Sequence, residues 1–503
     1  MAVPIVGITT RREAFEPAPP SYAMMSVVGL CCHAEAADGV VSGDFTAAFP
    51  LNTPVIFNST SAKARMIHPD SYVGKALALL NAQVSRMQRG CRVIFTRVAE
   101  GDDDDETAAN IAGDSVARTG MWSFASAGSA VGAYPRLVCI PGPYASQIKV
   151  GVTGYSITSG GDGYDSAPSL ALPGGVGDGT GFAATAVLTG DVVTGVTISN
   201  RGDGYDPGTY NLVLTGGTPD EAASIEVTIG VILNPIVADL PGLLNSYLGF
   251  AVVQAPHNGT MQTDQDFRET IQSERIMVCT PDILVDDSEG DEVNTNFAAA
   301  VIGLFVRRDF DGEGRPFNSV LNQPVYGVVA PARTIDFSLT DGATDGQVLL
   351  SQQIGCLVRG ETGDDFAIAD GGFVYLGFET CSEDLIFRHA HAVRGRDFIE
   401  LTIIRTLRTY LGRKRLNVQG IQSIIDTIDN IISPAVAKGE VAGKLVRFDP
   451  DENNRDDLRT GHIYADVKFE PTPVLRRVTV LSRPYGVALD RTIEQLITAQ
   501  TLL

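Results

Sequence analysis

Few residues of this 503-residue chain have the types and spacing that catalysis or metal binding requires. His389 and His391 lie two positions apart near a predicted helix start, a spacing that places them on different helix faces. A core or solvated role is therefore favoured over metal binding for this pair. The chain contains no P-loop, zinc-protease or nucleophile-elbow motif, and the Gly-rich run at residues 174–181 lacks the glycine order of a dinucleotide site. The sequence thus predicts no catalytic, cofactor-binding or metal-binding residues.

One acidic motif partly matches a calcium-binding loop. Asp309, Asp311 and Glu313 occupy its first, third and fifth positions, and Gly314 follows them. The last position is Val320, however, where such loops require a bidentate Glu. A plain acidic turn is the favoured interpretation.

The seven cysteines lack the spacing of a zinc site. Most of them lie in apolar runs, where buried free thiols are expected. The odd number of cysteines and the adjacent pair Cys31 and Cys32 also allow a different hypothesis. Outside a reducing cytoplasm, these two thiols could form disulfides between subunits.

The overall charge excludes several classes of protein. The chain has 38 Lys and Arg against 60 Asp and Glu, a formal net charge of −22, which is opposite in sign to that of a general nucleic-acid binder. The same sign argues against a basic membrane-surface protein, and no apolar run reaches the roughly 18 residues of a spanning helix. The first residues lack a secretory signal pattern, so synthesis in a cytoplasm is expected.

Residues 388–415 oppose this acidic background, with eight basic residues against two acidic ones. Two interpretations are open: the segment docks onto an acidic partner, or it is a solvated helix face that offsets neighbouring carboxylates of the same chain. The candidate docking residues are Arg405, Arg408, Arg413, Lys414 and Arg415.

The elements that position these residues fall into two regions. Residues 21–151 and 232–390 alternate apolar strand-like runs with amphipathic helices, which predicts a mixed α/β body with a mainly buried sheet. From residue 391 to 503, two apolar stripes of helical spacing precede alternating strand-like segments. The first stripe comprises Ile399, Ile403, Leu407 and Leu411.

Residues 152–231 interrupt the body with a glycine-rich repeat. The phrases ITSGGDGYDSAPSLAL and ISNRGDGYDPGTYNLVL begin 41 residues apart and predict an inserted all-β module built from two copies of one hairpin-rich unit. The second copy contains Arg201-Gly202-Asp203, a cell-attachment tripeptide. The first copy has Gly160 in place of the arginine. Turn geometry therefore explains the repeated Gly-Asp-Gly better than receptor binding does.

Taken in order, these segments resemble the contractile tail sheath proteins of tailed bacteriophages and related contractile injection particles. The similarity runs from VPIVGITT and SVVGL through GKALALLNAQVSRMQRGCRVIFTRV, PRLVCIPG, GFAVVQAP and RIMVCTPDILV to NFAAAVIGLFVRRDFDGEGRPFNSVLNQPVYGVV. It is greatest in FRHAHAVRGRDFIELTIIRTLRTYLG and VRFDPDENNRDDLRTGHIYADVKFEPTPVLRRVTV. The similarity covers nearly the whole chain except residues 152–231, and it rests on the order in which the segments occur.

The resemblance implies a multi-domain sheath subunit with extended terminal arms. It has an N-terminal arm at residues 1–20, the α/β body, a C-terminal assembly domain with its own arm, and the inserted module on the outer surface. Sheath subunits exchange terminal strands. The donor would lie at residues 3–9 and the acceptor strands at residues 462–469 and 474–481, with a C-terminal arm somewhere in residues 487–503, where the sequence looks helical. The strand-exchange residues are Val3, Ile5, Val6, Ile8, Ile463, Val467, Phe469, Val478 and Val480.

The resemblance also implies a function and its partners. Copies of the chain would polymerise as stacked rings around a tail tube in a virion and contract to drive the tube through the host envelope. The tail tube protein, baseplate and tail terminator would be the other partners, and neither nucleic acid nor membrane insertion is expected. The five basic candidates would face the tube. The alternatives are a glycan-binding virion surface protein that uses the inserted module, and an α/β enzyme with no recognisable motif.

Overall fold

A computed structural model describes residues 20–501 of the chain. Of these, residues 20–471 form one compact unit, and residues 472–501 form a second. None of the helices among the described residues is long and apolar enough to cross a membrane.

Strands supply the sheets of the large unit. Their bounds are β1 Val27–Cys32, β2 Val55–Asn58, β3 Arg92–Arg97, β4 Leu137–Cys139, β5 Lys149–Ser159, β6 Ser169–Ala171, β7 Thr180–Thr189, β8 Val192–Asp203, β9 Gly208–Asn211, β10 Val213–Thr215, β11 Ser224–Ile232, β12 Phe250–Gln254, β13 Ile276–Thr280, β14 Ile283–Asp286, β15 Glu292–Thr295, β16 Gln323–Val325, β17 Ala330–Pro331, β18 Ile354–Arg359, β19 Phe373–Leu376, β20 Val441–Phe448 and β21 Ala465–Pro471.

Helices pack on the sheets, and the last described element is also a helix. Their bounds are α1 Ser42–Ala48, α2 Tyr72–Val84, α3 Asp104–Ala112, α4 Ala127–Val131, α5 Pro235–Tyr247, α6 Met261–Glu269, α7 Ala298–Asp311, α8 Asp345–Ser351, α9 Ala390–Leu407, α10 Val418–Ala437, α11 Arg455–Thr460 and α12 Gly486–Thr501.

The body is built on a nine-stranded sheet with the order β16-β19-β18-β13-β12-β4-β1-β3-β2. The six strands from β18 to β3 pair in parallel. At one edge β2 pairs antiparallel with β3, and on the other side β19 pairs antiparallel with β18 and with the edge strand β16. Every residue of β1, β12 and β13 is buried, as expected for strands covered on both faces. The predicted mixed α/β fold is confirmed.

One apolar run divides where the sequence predicts a single strand. RIMVCTPDILV forms β13 in the large sheet and β14 in a separate sheet with the order β15-β14-β17. Pro281 lies between the two strands, and it has no backbone N–H to donate to a continuing ladder. The chain therefore leaves the large sheet at this proline.

Residues 149–232 form two sheets of their own, with the orders β10-β6-β7-β8 and β5-β11-β9. A separate cluster of buried apolar residues, which includes Val152, Leu170 and Ile225, lies within this region. The first and last strands pair antiparallel, with Lys149 opposite Ile232, so the chain enters and leaves at the same place.

The two copies of the repeat complete one another. The Tyr164 hydroxyl of the first copy accepts a hydrogen bond from the Ala223 N–H of the second, at 2.8 Å. The Tyr205 hydroxyl of the second copy accepts one from the Phe182 N–H of the first, at 3.3 Å. Phe182 and Ala223 are 41 positions apart, as Tyr164 and Tyr205 are. Each copy therefore donates the same backbone N–H to the equivalent tyrosine of the other copy.

The repeated Gly-Asp-Gly turns explain part of the high glycine content. Gly161 and Gly163 have φ values of 66° and 76°, and Gly202 and Gly204 have 69° and 79°. This left-handed region favours glycine because it has no Cβ. Both turns therefore have the same backbone geometry, in agreement with turn formation as the reason for the repeat.

The last part of the large unit packs α9 and α10 against the two-stranded sheet β20-β21. α10 continues through Pro434 to Ala437, three residues beyond the proline. α9 ends at Leu407, so Leu411 lies outside the helix and is 78% exposed, unlike the buried Ile399. The predicted four-residue stripe therefore ends one turn early.

The second unit differs from its prediction. Residues 474–481 were expected to form a strand, but they contain no strand, and α12 begins five residues later at Gly486. A strand needs a neighbour for its backbone N–H and C=O groups, and no strand is present in the described part of this unit. The helical character expected for residues 487–503 is present in α12.

Candidate assembly surfaces

The sheet β20-β21 is an open two-stranded ladder. Its register places Val467 opposite Val446 and Phe469 opposite Lys444, and both β21 side chains pack against the cluster formed by α9 and α10. Ile463 is half-buried and lies two residues before β21 begins. Among the described residues each strand has one partner, so each has one edge on which another strand could pair.

A cross-strand ion pair ties this ladder together. The Arg447 guanidinium donates to the Asp466 carboxylate at 2.8 Å. This hydrogen bond holds the pKa of Asp466 below its usual range. Because the Arg447 side chain is 54% exposed, solvent screens the pair, and it contributes little to stability.

Val478 and Val480 are 66% and 81% exposed and lie in the irregular segment before α12. They were assigned to an acceptor strand, but a segment without a strand partner cannot form the edge that an incoming strand needs. The geometry suits a donor segment instead. The predicted donors Val3, Ile5, Val6 and Ile8 lie outside the described residues.

The first described residues run along α9. The Ser21 N–H donates to Thr406 Oγ1 at 3.1 Å, and the Tyr22 ring stacks on Phe398 with 5.9 Å between centroids. The Arg405 guanidinium donates to the Tyr22 carbonyl at 3.0 Å. The first described residues therefore lie against the second half of α9.

Of the basic candidates, Arg408, Arg413 and Arg415 are exposed. The Lys414 ammonium lies 5.1 Å from the centroid of the Tyr410 ring. Arg405 is half-buried against the chain entry, and its pKa is lowered by burial and then by the charge of Arg408. The exposed members thus follow the end of α9 and the loop after it.

Other basic residues of the segment are used inside the chain. The Arg394 guanidinium donates to both carboxylate oxygens of Asp309 at 3.0 and 2.6 Å, and each side chain is only 1% exposed. Arg394 also donates to the Met25 carbonyl at 3.2 Å. Since Asp309 lies in α7, this pair joins α9 to the body.

A second buried pair also joins α9 to the body, at a different element. The Arg275 guanidinium, just before β13, donates to both carboxylate oxygens of Asp397 in α9 at 2.5 and 3.0 Å. Both side chains are less than 10% exposed. No sequence signal could have found either pair, because the partners lie 85 and 122 positions apart.

The acidic residues of the calcium-like motif pair with three different basic side chains. Asp309 pairs with Arg394, Asp311 with Arg308, and Glu313 with Lys438 beyond α10. Their carboxylates are thus distributed over three ion pairs. Within residues 20–501, no group of His, Cys, Asp or Glu side chains could hold a metal ion.

The repeat and the cysteines are also explained by packing. The Arg201 guanidinium donates to the Val152 and Thr153 carbonyls at 2.7 and 2.9 Å, which engages the arginine of the cell-attachment tripeptide. Cys31 and Cys32 are fully buried in β1, and burial raises the pKa of both thiols. The geometry therefore argues against these cysteines as sites of an intersubunit disulfide, because the sheet would have to open.

The crevice where doubly wound folds bind ligands is filled by side chains. It lies at the carboxyl ends of β1 and β4, because β3 and β4 flank β1 on opposite sides. His33, Tyr72 and Tyr144 meet there edge to face, with centroids 5.8 to 5.9 Å apart. The His33 Nε2 and Tyr144 hydroxyl are 2.9 Å apart, which fixes two of the rings.

Known proteins resemble the chain in sequence and in fold. No protein-family profile matches it. The tail sheath protein of Escherichia phage P2 is 23% identical over 255 residues, which cover 50% of this chain and 61% of that protein. A putative prophage major tail sheath protein of Pseudomonas aeruginosa is 21% identical over 239 residues, covering 47% of this chain and 58% of its own length. The matches thus span less than two thirds of these curated relatives.

Solved structures extend the likeness to nearly the whole chain. The sheath complex of an extracellular contractile injection system, PVC, in its contracted state has a TM-score of 0.56 at 10% identity, covering 97% of this chain and 99% of that one. The helical sheath of the anti-feeding prophage in its contracted state has a TM-score of 0.53 at 12% identity, with coverages of 96% and 99%. The resemblance to contractile tail sheath proteins, inferred from the order of the sequence segments, is therefore confirmed by curated relatives and by the fold.

Proposed function

We propose that this chain is a structural subunit of a contractile phage tail sheath. Copies polymerise as stacked rings around a tail tube and contract to drive the tube through the host envelope for genome delivery. The observation that carries the proposal is the likeness of nearly the whole chain to sheath subunits of two contractile systems. A head-to-tail interface that does not close generates such a helix.

Strand exchange links the copies. The acceptor is the open sheet β20-β21 with Val467 and Phe469, and Ile463 precedes it. The donors are the N-terminal residues Val3, Ile5, Val6 and Ile8, together with the exposed segment that contains Val478 and Val480. At about five backbone hydrogen bonds of roughly 1 kcal/mol net each, one exchanged strand contributes about 5 kcal/mol. Such a link persists while the bodies move.

The body and the C-terminal assembly region move together. The pairs Arg394–Asp309 and Arg275–Asp397 fasten α9 to the body, and breaking a buried pair is strongly unfavourable, by about 3–5 kcal/mol. Contraction therefore changes the contacts between copies, while the packing inside one copy is kept. A two-state switch of this kind requires rigid bodies on flexible connections.

The tube contact uses the exposed basic residues after α9. Arg408, Arg413 and Arg415 form its core, with Arg405 and Lys414 beside them. Such a cationic patch fits an acidic surface on the tail tube protein. The baseplate and tail terminator bind the two ends of the polymer, in a virion whose proteins are made in the host cytoplasm.

Residues 152–231 form an inserted module on the outer surface. Support comes from its separate apolar cluster and from its paired entry and exit strands, β5 and β11. A module of this kind can be removed and the body rejoined across Lys149 and Ile232. It decorates the polymer without taking part in its core contacts.

Electron microscopy of the purified full-length chain tests the proposal. We expect striated tubes or stacked rings that shorten and widen under contracting conditions. Globular particles at every concentration, with no ordered polymer, would contradict it. A variant joined from residue 149 to 232 should polymerise as the full chain does, and its failure would place the module in the sheath core.

A further inference from the structure

A small apolar corner is exposed at residues 383–386, just before α9. Leu385 and Ile386 are 77% and 57% exposed and follow the exposed acidic residues Glu383 and Asp384. The turn is ordered, because the Ile386 N–H donates to the Asp384 carboxylate at 2.9 Å. Adjacent large apolar side chains on a turn mark an interaction surface more often than an isolated one does. This surface is called the 383–386 corner below.

The corner lies beside the open strand β21. Phe387 follows it directly, and the Arg396 guanidinium bridges the Phe387 and Phe469 rings, at 5.6 and 5.2 Å from their centroids. Phe387 is also held through its carbonyl, which accepts from the Thr380 hydroxyl at 2.8 Å. A strand added to β21 would therefore bring the residues after it near this corner.

Helix α12 has a face that matches the corner. Leu489, Ile493 and Leu496 are four and three positions apart, so they share one side of the helix, and they are 69%, 54% and 62% exposed. The unit to which α12 belongs has four arginines and two acidic residues in a chain of net charge −22. Arg483 precedes the helix, and Arg491 lies within it. Within α12, Arg491 is accompanied by Asp490 and Glu494, so the positive charge of the unit lies in the segment before the helix and the helix itself contributes the apolar face.

We propose that α12 of one copy docks on the 383–386 corner of a second copy. This rests on the proposed polymer, and it adds a partner surface to the strand exchange. When residues 474–481 pair with β21 of the neighbour, only four residues separate them from Gly486, so α12 follows within reach of the corner. Its apolar face covers Leu385 and Ile386, and Arg483, three residues before the helix, faces Glu383 and Asp384. Repetition from copy to copy is head-to-tail, as a helical polymer requires.

Cysteine cross-linking tests the contact directly. The seven native cysteines are buried, so introduced surface thiols react above a low background. Leu385→Cys chains are mixed with Ile493→Cys chains, assembled, oxidised and separated on non-reducing gels. Because each chain carries one introduced thiol, the mixed dimer can arise only between copies. The matched control mixes Leu339→Cys with Ile493→Cys, since Leu339 is 54% exposed on another loop.

We expect a reducible mixed dimer with Leu385→Cys that is at least fivefold more abundant than with Leu339→Cys. Polymers that form without this preference overturn the docking and leave the sheath proposal intact. Failure of the unmodified chain to polymerise overturns the sheath proposal, and the docking falls with it. The two failures are therefore distinguishable.

A second pair of variants keeps the test independent of thiol geometry. Leu385→Asp with Ile386→Asp should raise the concentration needed for polymerisation roughly tenfold or more, because two apolar side chains lose their cover. The control, Leu339→Asp with Phe366→Asp, changes two side chains that are each 54% exposed. Equal effects of the two double variants would contradict the docking. Circular dichroism and thermal unfolding verify that both variants remain folded.

Discussion

The nine-stranded sheet of the body and the two-stranded sheet β20-β21 differ in how complete they are. In the body, β1, β12 and β13 have neighbours on both edges and are buried on both faces. In β20-β21, each strand has one partner among the described residues, and exposed side chains alternate with partly buried ones. The first sheet satisfies its backbone within one chain, whereas the second leaves backbone groups for another strand. The difference supports the proposal that β20-β21 accepts a strand from another copy.

Preventing the exchanged strand should have the largest effect. Val478→Pro with Val480→Pro removes two backbone donors from the exposed segment, and we expect polymerisation to be lost, since about 5 kcal/mol of linkage depends on it. The free energy of unfolding should change by less than about 0.5 kcal/mol, because both residues are exposed. Sedimentation and urea unfolding measure the two effects. Loss of stability together with assembly would contradict a donor role.

Breaking a buried pair should instead damage the fold. Asp309→Asn leaves the Arg394 charge buried with weaker partners, so we expect the free energy of unfolding to fall by about 3–5 kcal/mol. Chemical denaturation measures the loss. The double variant Asp309→Leu with Arg394→Met should recover much of it, because no charge then remains unpaired. A single variant as stable as the wild type would show that the pair does not fasten α9.

Truncation of matched apolar residues compares the two sheets. Leu30→Ala in β1 removes a fully buried side chain and should cost about 2–5 kcal/mol. Val467→Ala in β21 removes a half-buried one and should cost about 1 kcal/mol or less. Urea unfolding of the unassembled chain is the measurement. Equal losses would mean that β21 already belongs to a closed core.

Reversing exposed charge should weaken tube binding without unfolding the chain. Arg408→Glu with Arg413→Glu should lower decoration of tail tubes at least severalfold, with a smaller difference at high salt because surface charges are screened. Electron microscopy counts decorated tubes. Arg455→Glu with Arg459→Glu, in exposed α11, is the matched control. Unchanged decoration by the first variant would remove these residues from the tube contact.

The smallest effect concerns the pH dependence of the open sheet. The pKa of Asp466 is held low by Arg447, so its contribution to stability is present above the ordinary aspartate pKa of about 4 and is lost as the pH falls through the lowered value. Asp466→Asn should therefore have a slightly lower urea midpoint than the wild type at neutral pH. The two midpoints should converge in acid. A difference that persists at low pH would assign the effect to packing.

Strands of the body were predictable because their apolar runs are continuous. SVVGLCC contains β1 with one extra residue, and CRVIFTRV contains β3 with one extra residue at each end. The division of one apolar run into two strands at Pro281 and the end of α9 at Leu407 were not predicted. Both depend on which other segments the backbone and side chains contact in the fold. α10 continues past Pro434 to Ala437, since a proline near a helix end removes only one backbone hydrogen bond.

The basic segment illustrates what composition cannot separate. Arg394 and Arg408 are equivalent as letters in a run of eight basic residues, but one is buried against Asp309 and the other is exposed. Pairing with carboxylates of the same chain therefore holds for Arg394, although in a buried position, and docking onto an acidic partner stays a prediction for the exposed members. The cysteines follow the same logic, since Cys31 and Cys32 lie in a strand that only the sheet makes inaccessible.

The sequence by itself determined the mixed α/β class, the duplicated glycine-rich region and the resemblance to sheath proteins, because these depend on local periodicity and on the order of segments. Only the tertiary structure decided which charges are paired, which thiols are buried and which sheet remains open. Those properties depend on contacts between residues tens to hundreds of positions apart. Which residues meet across such separations is decided by how the whole chain packs, and no short sequence pattern contains that information.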